Sequence, residues 1–263
     1  MNDLFVRGGW REKSRHGVVL LRAVSRRTPL ALRDIAPQRE PQPEDSGAQK
    51  HCVILHGWAS HGGESAEIWQ AARALPQAAG WRFWDVTYDS QWTTFGNSAQ
   101  AIVNELQKLD YDWSNTILIG NSMGGVIARQ MVALGFPCRA LLSICSPHQG
   151  PAPWVPVPSR GPRSSARWSR ALAKLNNHPL DEAARSRYHF FAITYTDALG
   201  YHPYDGIVLQ SSALGESLGP VAQRHTIHLR YRTVAGFDPH WRGRFAVNLE
   251  PVVATLGNLL AES

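Results

Sequence analysis

From residue 51 onward the chain alternates short apolar runs with longer amphipathic stretches. His51 to Leu55 has the length and character of a buried strand, and Glu64 to Ala79 places Ile68, Trp69, Ala72 and Leu75 on one helical face. Arg82 to Tyr88 predicts the next strand. Ser98 to Leu109 predicts a second helix through Ile102, Leu106 and Leu109. Thr116 to Ile119 reads as a strand, Gly124 to Leu134 as a helix and Ala140 to Cys145 as another strand. Strands alternating with helices of this length predict an α/β domain, a mostly parallel central sheet with helices on both faces.

The rhythm breaks over residues 147–187, which carry five Pro between Pro151 and Pro162 and predict one helix at about Ser165 to Asn176. Phe190 to Tyr195 and Leu229 to Ala235 then read as strands, and Arg244 to Leu260 as a final helix. The segment 147–187 is thus an insertion, a cap or loop, before the last strands. Residues 1–50 predict an N-terminal extension. Val18 to Val24 and Leu30 to Ile35 are apolar runs flanking Ser25-Arg26-Arg27-Thr28-Pro29, a hairpin pattern over 18–36, and the polar, Pro-rich residues 37–50 read as a linker. The main domain spans 51–263.

Chemistry enters at Gly120-Asn121-Ser122-Met123-Gly124-Gly125, a G-x-S-x-G sequence with a predicted strand before it and a predicted helix after it. A tight strand-to-helix turn lifts the Ser122 hydroxyl clear of the sheet, and the helix start offers free N–H groups to developing negative charge. His56-Gly57-Trp58 directly follows the first regular strand. An oxyanion hole takes one N–H from the residue after the nucleophile and one from this loop, which nominates the backbone amides of Met123 and Trp58.

With these pieces in order, the chain resembles the α/β-hydrolase superfamily, in particular its lipase- and esterase-like serine hydrolases. The resemblance rests on Val53-Ile54-Leu55-His56-Gly57, on Ile117 through Gly125, on Ser146-Pro147-His148-Gln149-Gly150 and on Asp205-Gly206-Ile207-Val208. It covers residues from about 51 to the C-terminus. Asn121 departs from it, since His often stands before the nucleophile.

A Ser hydroxyl needs a base to take its proton and an acid to hold that base in one tautomer. The resemblance implies the chain order Ser, acid, His. Asp205 heads its turn and is the expected acid, with Asp197, nearer the strand end, as the rival. His240 follows the last predicted strand and is the expected base, with His228 next. His56, His61, His148 and Trp154 are the expected substrate contacts, Trp154 lying in the apolar stretch Pro151 to Pro158 that would wall an acyl chain. The expected activity is hydrolysis of carboxylic esters through an acyl-enzyme on Ser122, Asp205 and His240. A thioesterase or acyltransferase with the same triad is the alternative, and a non-catalytic binding protein of the same fold the second alternative. No metal-ligand spacing such as H-E-x-x-H occurs, and no cofactor is expected.

Charge modifies this picture little. The 27 Lys and Arg against 21 Asp and Glu leave a formal +6, which invites a nucleic-acid reading. Residues 1–50 and 151–263 each carry +4, however, whereas 51–150 carry −2, and the basic flanks hold no nucleic-acid-binding motif. No nucleic-acid partner is expected; the expected partner is a small-molecule ester. Arg163, Arg167, Arg170 and Lys174 would share a face of the predicted helix and could meet a phosphate-bearing carrier. Cys52, Cys138 and Cys145 have apolar neighbours and read as buried thiols. No apolar run reaches the length of a membrane span, and Val18 to Leu21 is too short for a secretory signal, so a cytoplasmic protein is expected.

Overall fold

The computed structural model describes residues 28–35, 49–59, 66–236, 239–240 and 250–262. Eight strands form one sheet: β1 (Ala31–Ile35), β2 (Lys50–Leu55), β3 (Trp81–Thr87), β4 (Asn115–Asn121), β5 (Ala140–Ile144), β6 (Tyr188–Asp197), β7 (Gly200–His202) and β8 (Gln223–Arg230). The order runs β1-β3-β2-β4-β5-β6, with β8 on the outer edge of β6. Neighbours from β3 through β8 are parallel; β1 on β3 and the hairpin strand β7 on β6 are antiparallel.

Alternate residues of the strands feed two separate cores, which is why the strands read as unbroken apolar runs. Val53, Leu55, Trp84, Val86, Leu118 and Leu141 face α2 (Phe95–Gln107) and α3 (Met123–Ala133). Cys52, Ile54, Phe83, Ile117, Ile119 and Leu142 face α1 (Ala66–Arg73) and the last helix, Glu250–Ala261. All three Cys are buried and free, and burial pushes their thiols up, that of Cys138 to about 12.

Ala31–Ile35, within the run Leu30 to Ile35 of the expected N-terminal hairpin, joins the main sheet as the antiparallel partner of Thr87 through Phe83. Its other expected half, Val18 to Val24, lies outside the described residues, as do residues 64–65 of the first predicted helix and 244–249 of the last. Two expectations are corrected. The helix expected over Ser165 to Asn176 forms only as α5 (Arg170–Asn176), starting where Ser169 Oγ accepts from the N–H groups of Ala171 and Leu172, and a separate short helix, α4 (Arg160–Ser164), precedes it. Arg163, Arg167, Arg170 and Lys174 therefore share no single helix face. The last strand is displaced too. It runs Gln223–Arg230 because it pairs residue for residue with His189 through Thr196, and the chain leaves the sheet before Ala235.

Burial of His51 carries a consequence for acid stability. Its ring lies among Trp84, Tyr111 and Trp113, and its Nδ1 accepts a hydrogen bond from Trp84 Nε1 at 3.2 Å, so the neutral form fits. Burial, with Arg82 next, lowers its pKa to about 4. The unfolded chain protonates such a ring near the ordinary value of about 6.5, so stability is full above that pH and falls as the pH drops towards 4. The expected loss is about 1.4 kcal/mol per pH unit from this residue. His148, held low by burial and Arg129, adds to the slope. Melting curves between pH 7 and 4 should be shallower for His51→Phe than for the native chain; equal slopes would remove His51 as the cause.

Candidate functional site

Ser122 lies between the end of β4 and the start of α3, at φ 52° and ψ −124°. Its N–H donates to the Ile144 carbonyl at 2.8 Å, pinning the turn to the neighbouring strand. Two Gly make the turn sterically open. A Cβ on Gly120 would lie 2.4 Å from Gly125 N, and one on Gly124 would lie 2.3 Å from the Leu55 carbonyl oxygen. The described non-glycine residues with positive φ are Ala59, Ser122 and Cys145, and all three follow the carboxyl ends of central strands. Backbone strain of this kind persists only where the surrounding structure holds it.

One side chain meets Ser122, and a second meets that one in turn. His240 Nε2 is 3.1 Å from Ser122 Oγ, and His240 Nδ1 is 2.8 Å from Asp205 Oδ2. Asp205 is 1% exposed, and its other oxygen accepts from the N–H groups of Ile207 at 2.9 Å and Val208 at 2.7 Å. Those bonds explain the Asp-Gly-Ile-Val turn: it orients the carboxylate. A carboxylate can only accept, so Nδ1 of a neutral His240 carries the proton and Nε2 is left to accept from the hydroxyl.

The loop after β2 abuts this turn, since a Cβ on Gly57 would lie 3.0 Å from Ser122 Cβ. Trp58 follows in that loop, and Ala59 N donates to Ser90 Oγ at 3.0 Å. Met123 opens α3, where a backbone N–H has no helical acceptor. Both residues expected to supply oxyanion donors thus belong to segments that border the Ser122 turn.

The expected substrate contacts are placed unevenly. His56 is 1% exposed: Nε2 accepts from Tyr88 N at 3.2 Å, Nδ1 lies 2.8 Å from the Gly57 carbonyl oxygen, and the ring stacks on Tyr88. His148 is wholly buried, with Nε2 3.0 Å from Ser143 Oγ and its ring against Phe190. Both brace the loops beneath the site, which corrects their expected contact with substrate: both rings are enclosed by protein. Trp154 is 57% exposed and meets Tyr204 edge-on, one residue from Asp205. His61 lies outside the described residues.

The rival residues go elsewhere. His228 Nδ1 and Nε2 are each 3.1 Å from the hydroxyls of Thr194 and Thr196 on the adjacent strand. Asp197 pairs with His202 at 2.8 Å. Burial alone would raise its carboxyl, but hydrogen bonds from Ala235 N, His202 and Leu199 N outweigh that and hold it below the usual carboxylate value.

Sequence reasoning missed a buried charge cluster under the elbow helix. Arg129 on α3 forms a bidentate pair with Asp181 of α6 (Pro179–Ala184) at 2.9 and 2.7 Å, and Arg185 reaches the same carboxylate. An Arg at the inward face of an otherwise apolar helix was the available signal. The exposed basic residues of the insertion are Arg160, Arg163, Arg167, Arg170, Lys174 and Arg187. Among the described residues no group of three His, Cys, Asp or Glu is placed to hold a metal ion, and no helix is long and apolar enough to cross a membrane.

No protein-family model matches the chain, and no curated protein sequence matches it. Solved structures do. The mature form of the Bacillus licheniformis lipase BlEst2 superposes with a TM-score of 0.58 at 13% identity, over 86% of this chain and 98% of that one. The N-acyl homoserine lactonase AidH, as a mutant complexed with N-hexanoyl homoserine, gives 0.50 at 15% identity over 87% and 92%. Likeness at that identity is a likeness of fold, and the chain has the α/β-hydrolase fold.

Proposed function

We propose that this chain is a serine hydrolase that cleaves carboxylic esters through an acyl-enzyme. The observation that carries the reading is the line of contacts from Ser122 Oγ to His240 Nε2 at 3.1 Å and from His240 Nδ1 to Asp205 at 2.8 Å. His240 takes the Ser122 proton on Nε2 as Oγ attacks the ester carbonyl carbon, and Asp205 stabilises the imidazolium. The Trp58 and Met123 amides hold the oxyanion. Collapse of that intermediate breaks the bond to the alcohol, which leaves with the proton from Nε2. A water then gives its proton to Nε2 and attacks the acyl carbon; the acid departs and Ser122 regains its proton. No cofactor takes part in these steps. Trp154 is the exposed wall that a substrate side chain would meet.

A thioesterase or acyltransferase is the second reading. Six exposed basic residues in the insertion, with no carboxylate partner among the described residues, favour it, since they suit a phosphate-bearing acyl carrier. A chain-length series of p-nitrophenyl esters against the matching acyl-CoA thioesters separates the two. The first reading expects saturable turnover of the neutral esters with kcat/KM at least equal to that of the thioesters. A preference for the thioesters of about tenfold or more transfers the assignment to the second reading. Turnover of neither, with no labelling of Ser122 by an alkyl fluorophosphonate, discards both in favour of a binding protein.

A further inference from the structure

Asp197, Ala235 and His202 form a second polar junction beside the site, and the reaction proposed above does not use it. Strand β6 ends at Asp197, the chain reverses into β7, and His202 lies three residues before Asp205. Asp197 Oδ1 accepts from Leu199 N and from His202 Nε2, both at 2.8 Å. Its Oδ2 accepts from Ala235 N at 3.0 Å. Ala235 lies five residues before His240. Among the described residues it is the nearest one upstream of His240 whose backbone N–H is tied to another element. A single carboxylate thus grips the loop that carries the acid and the connection that carries the base.

The acid-side arm of this junction is stiff. Because a carboxylate only accepts, His202 Nε2 donates to Asp197, and His202 Nδ1 lies 2.9 Å from the Tyr204 hydroxyl. The His202 ring stacks on Tyr195 with centroids 4.4 Å apart. Tyr204, adjacent to Asp205, meets Tyr195 and Trp154 edge-on. On the other arm, Tyr231 N donates to the Thr196 carbonyl at 2.8 Å, which brings the connection to the end of β6 where Asp197 can reach it. Hydrogen bonds to an ionised acceptor are about twice as strong as neutral ones, which suits a tie between two loops.

We infer that Asp197 is a positioning residue, which ties the Asp205 loop to the His240 connection and so sets the 2.8 Å contact between acid and base. The inference rests on the roles proposed for Asp205 and His240. Its test uses Asp197→Ala and Asp197→Asn, assayed on p-nitrophenyl butyrate and by the far-downfield proton NMR signal of His240 Nδ1–H, identified by its loss in His240→Gln. Asp197→Ala should lower kcat by about 10²-fold, the scale of a small misplacement of reacting groups. KM should change by no more than about threefold, as expected for an interaction felt in the transition state. Asp197→Asn keeps one oxygen, enough for Ala235 N but not also for Leu199 N and His202 Nε2, and should recover only part of that loss. The downfield signal should be lost or broadened in Asp197→Ala and less disturbed in Asp197→Asn.

A folded Asp197→Ala with kcat within about twofold of native, or with the downfield signal unchanged, overturns the inference. Should Asp197→Ala fail to fold, His202→Phe keeps the ring against Tyr195 and cuts only the acid-side tie; an undisturbed downfield signal there overturns the inference equally. Recording the same signal in a Ser122→Ala background separates this result from the proposed function. There the tie is read with no turnover, and persistent hydrolysis by Ser122→Ala would fault the nucleophile and leave the tie to be judged by the signal.

Discussion

Ser122→Ala is expected to lower kcat/KM for p-nitrophenyl esters by about 10⁴- to 10⁶-fold while the protein melts within a few degrees of the native chain. On the proposed mechanism, the large kinetic effect follows from removing the atom that would form the acyl bond. The small thermal effect follows from the local structure. Ser122 has φ 52°, and Ala at that position carries the same Cβ and the same strain. What is lost is one contact with His240 Nε2, worth about 1 kcal/mol. The oxyanion donors are backbone groups and survive the substitution, so residual rate above water is expected. His240→Ala should fall comparably, whereas His228→Ala, whose ring lies between Thr194 and Thr196 hydroxyls on the sheet, should retain native turnover. Ser122→Ala with activity within about tenfold of native would remove the nucleophile assignment.

Asp181→Leu is expected to cost about 3–5 kcal/mol of folding stability, read as a fall in the urea midpoint at constant m. The side chains of Asp181 and Arg129 are fully enclosed, and that of Arg185 is nearly so. Tyr188 also donates its hydroxyl to Asp181 Oδ1 at 3.1 Å. Removing the carboxylate strands two buried guanidinium groups, which desolvation makes far worse than deleting an exposed pair. Arg129 stands in α3, the helix whose first residue follows Ser122, so the same loss should loosen the elbow. A midpoint shift worth less than about 1 kcal/mol would show that the cluster is solvated or replaceable. Asp181→Leu combined with Arg129→Met should recover part of the loss, because a pair replaced by apolar groups no longer leaves Arg129 unpaired.

Local patterns made the central architecture legible. The runs at residues 51–55, 116–119 and 140–145 became β2, β4 and β5, and the helices between them formed, because strand and helix periodicity are properties of neighbouring residues. Gly120 and Gly124 were legible for the same reason: both serve one turn, and the crowding they relieve belongs to that turn and the loop packed on it. The helix expected from Ser165 begins only at Arg170, since the residues before it look equally helical by composition and only the capping hydroxyl of Ser169 marks the start. That Ala31–Ile35 would pair with β3 was not legible, because a short run does not say which strand it will join.

Ser122 and the strand-to-helix turn that holds it were therefore readable from the chain alone. Which Asp and which His would join it was a choice among spaced candidates, because His240 lies 118 residues from Ser122 and 35 from Asp205. Periodicity carries no information across such distances. The same holds for Arg129 and Asp181, 52 residues apart. Only the parallel pairing of β6 with β8 brings the two loops to one end of the sheet, where His240 meets Asp205 and Asp197 is left to hold the loops together.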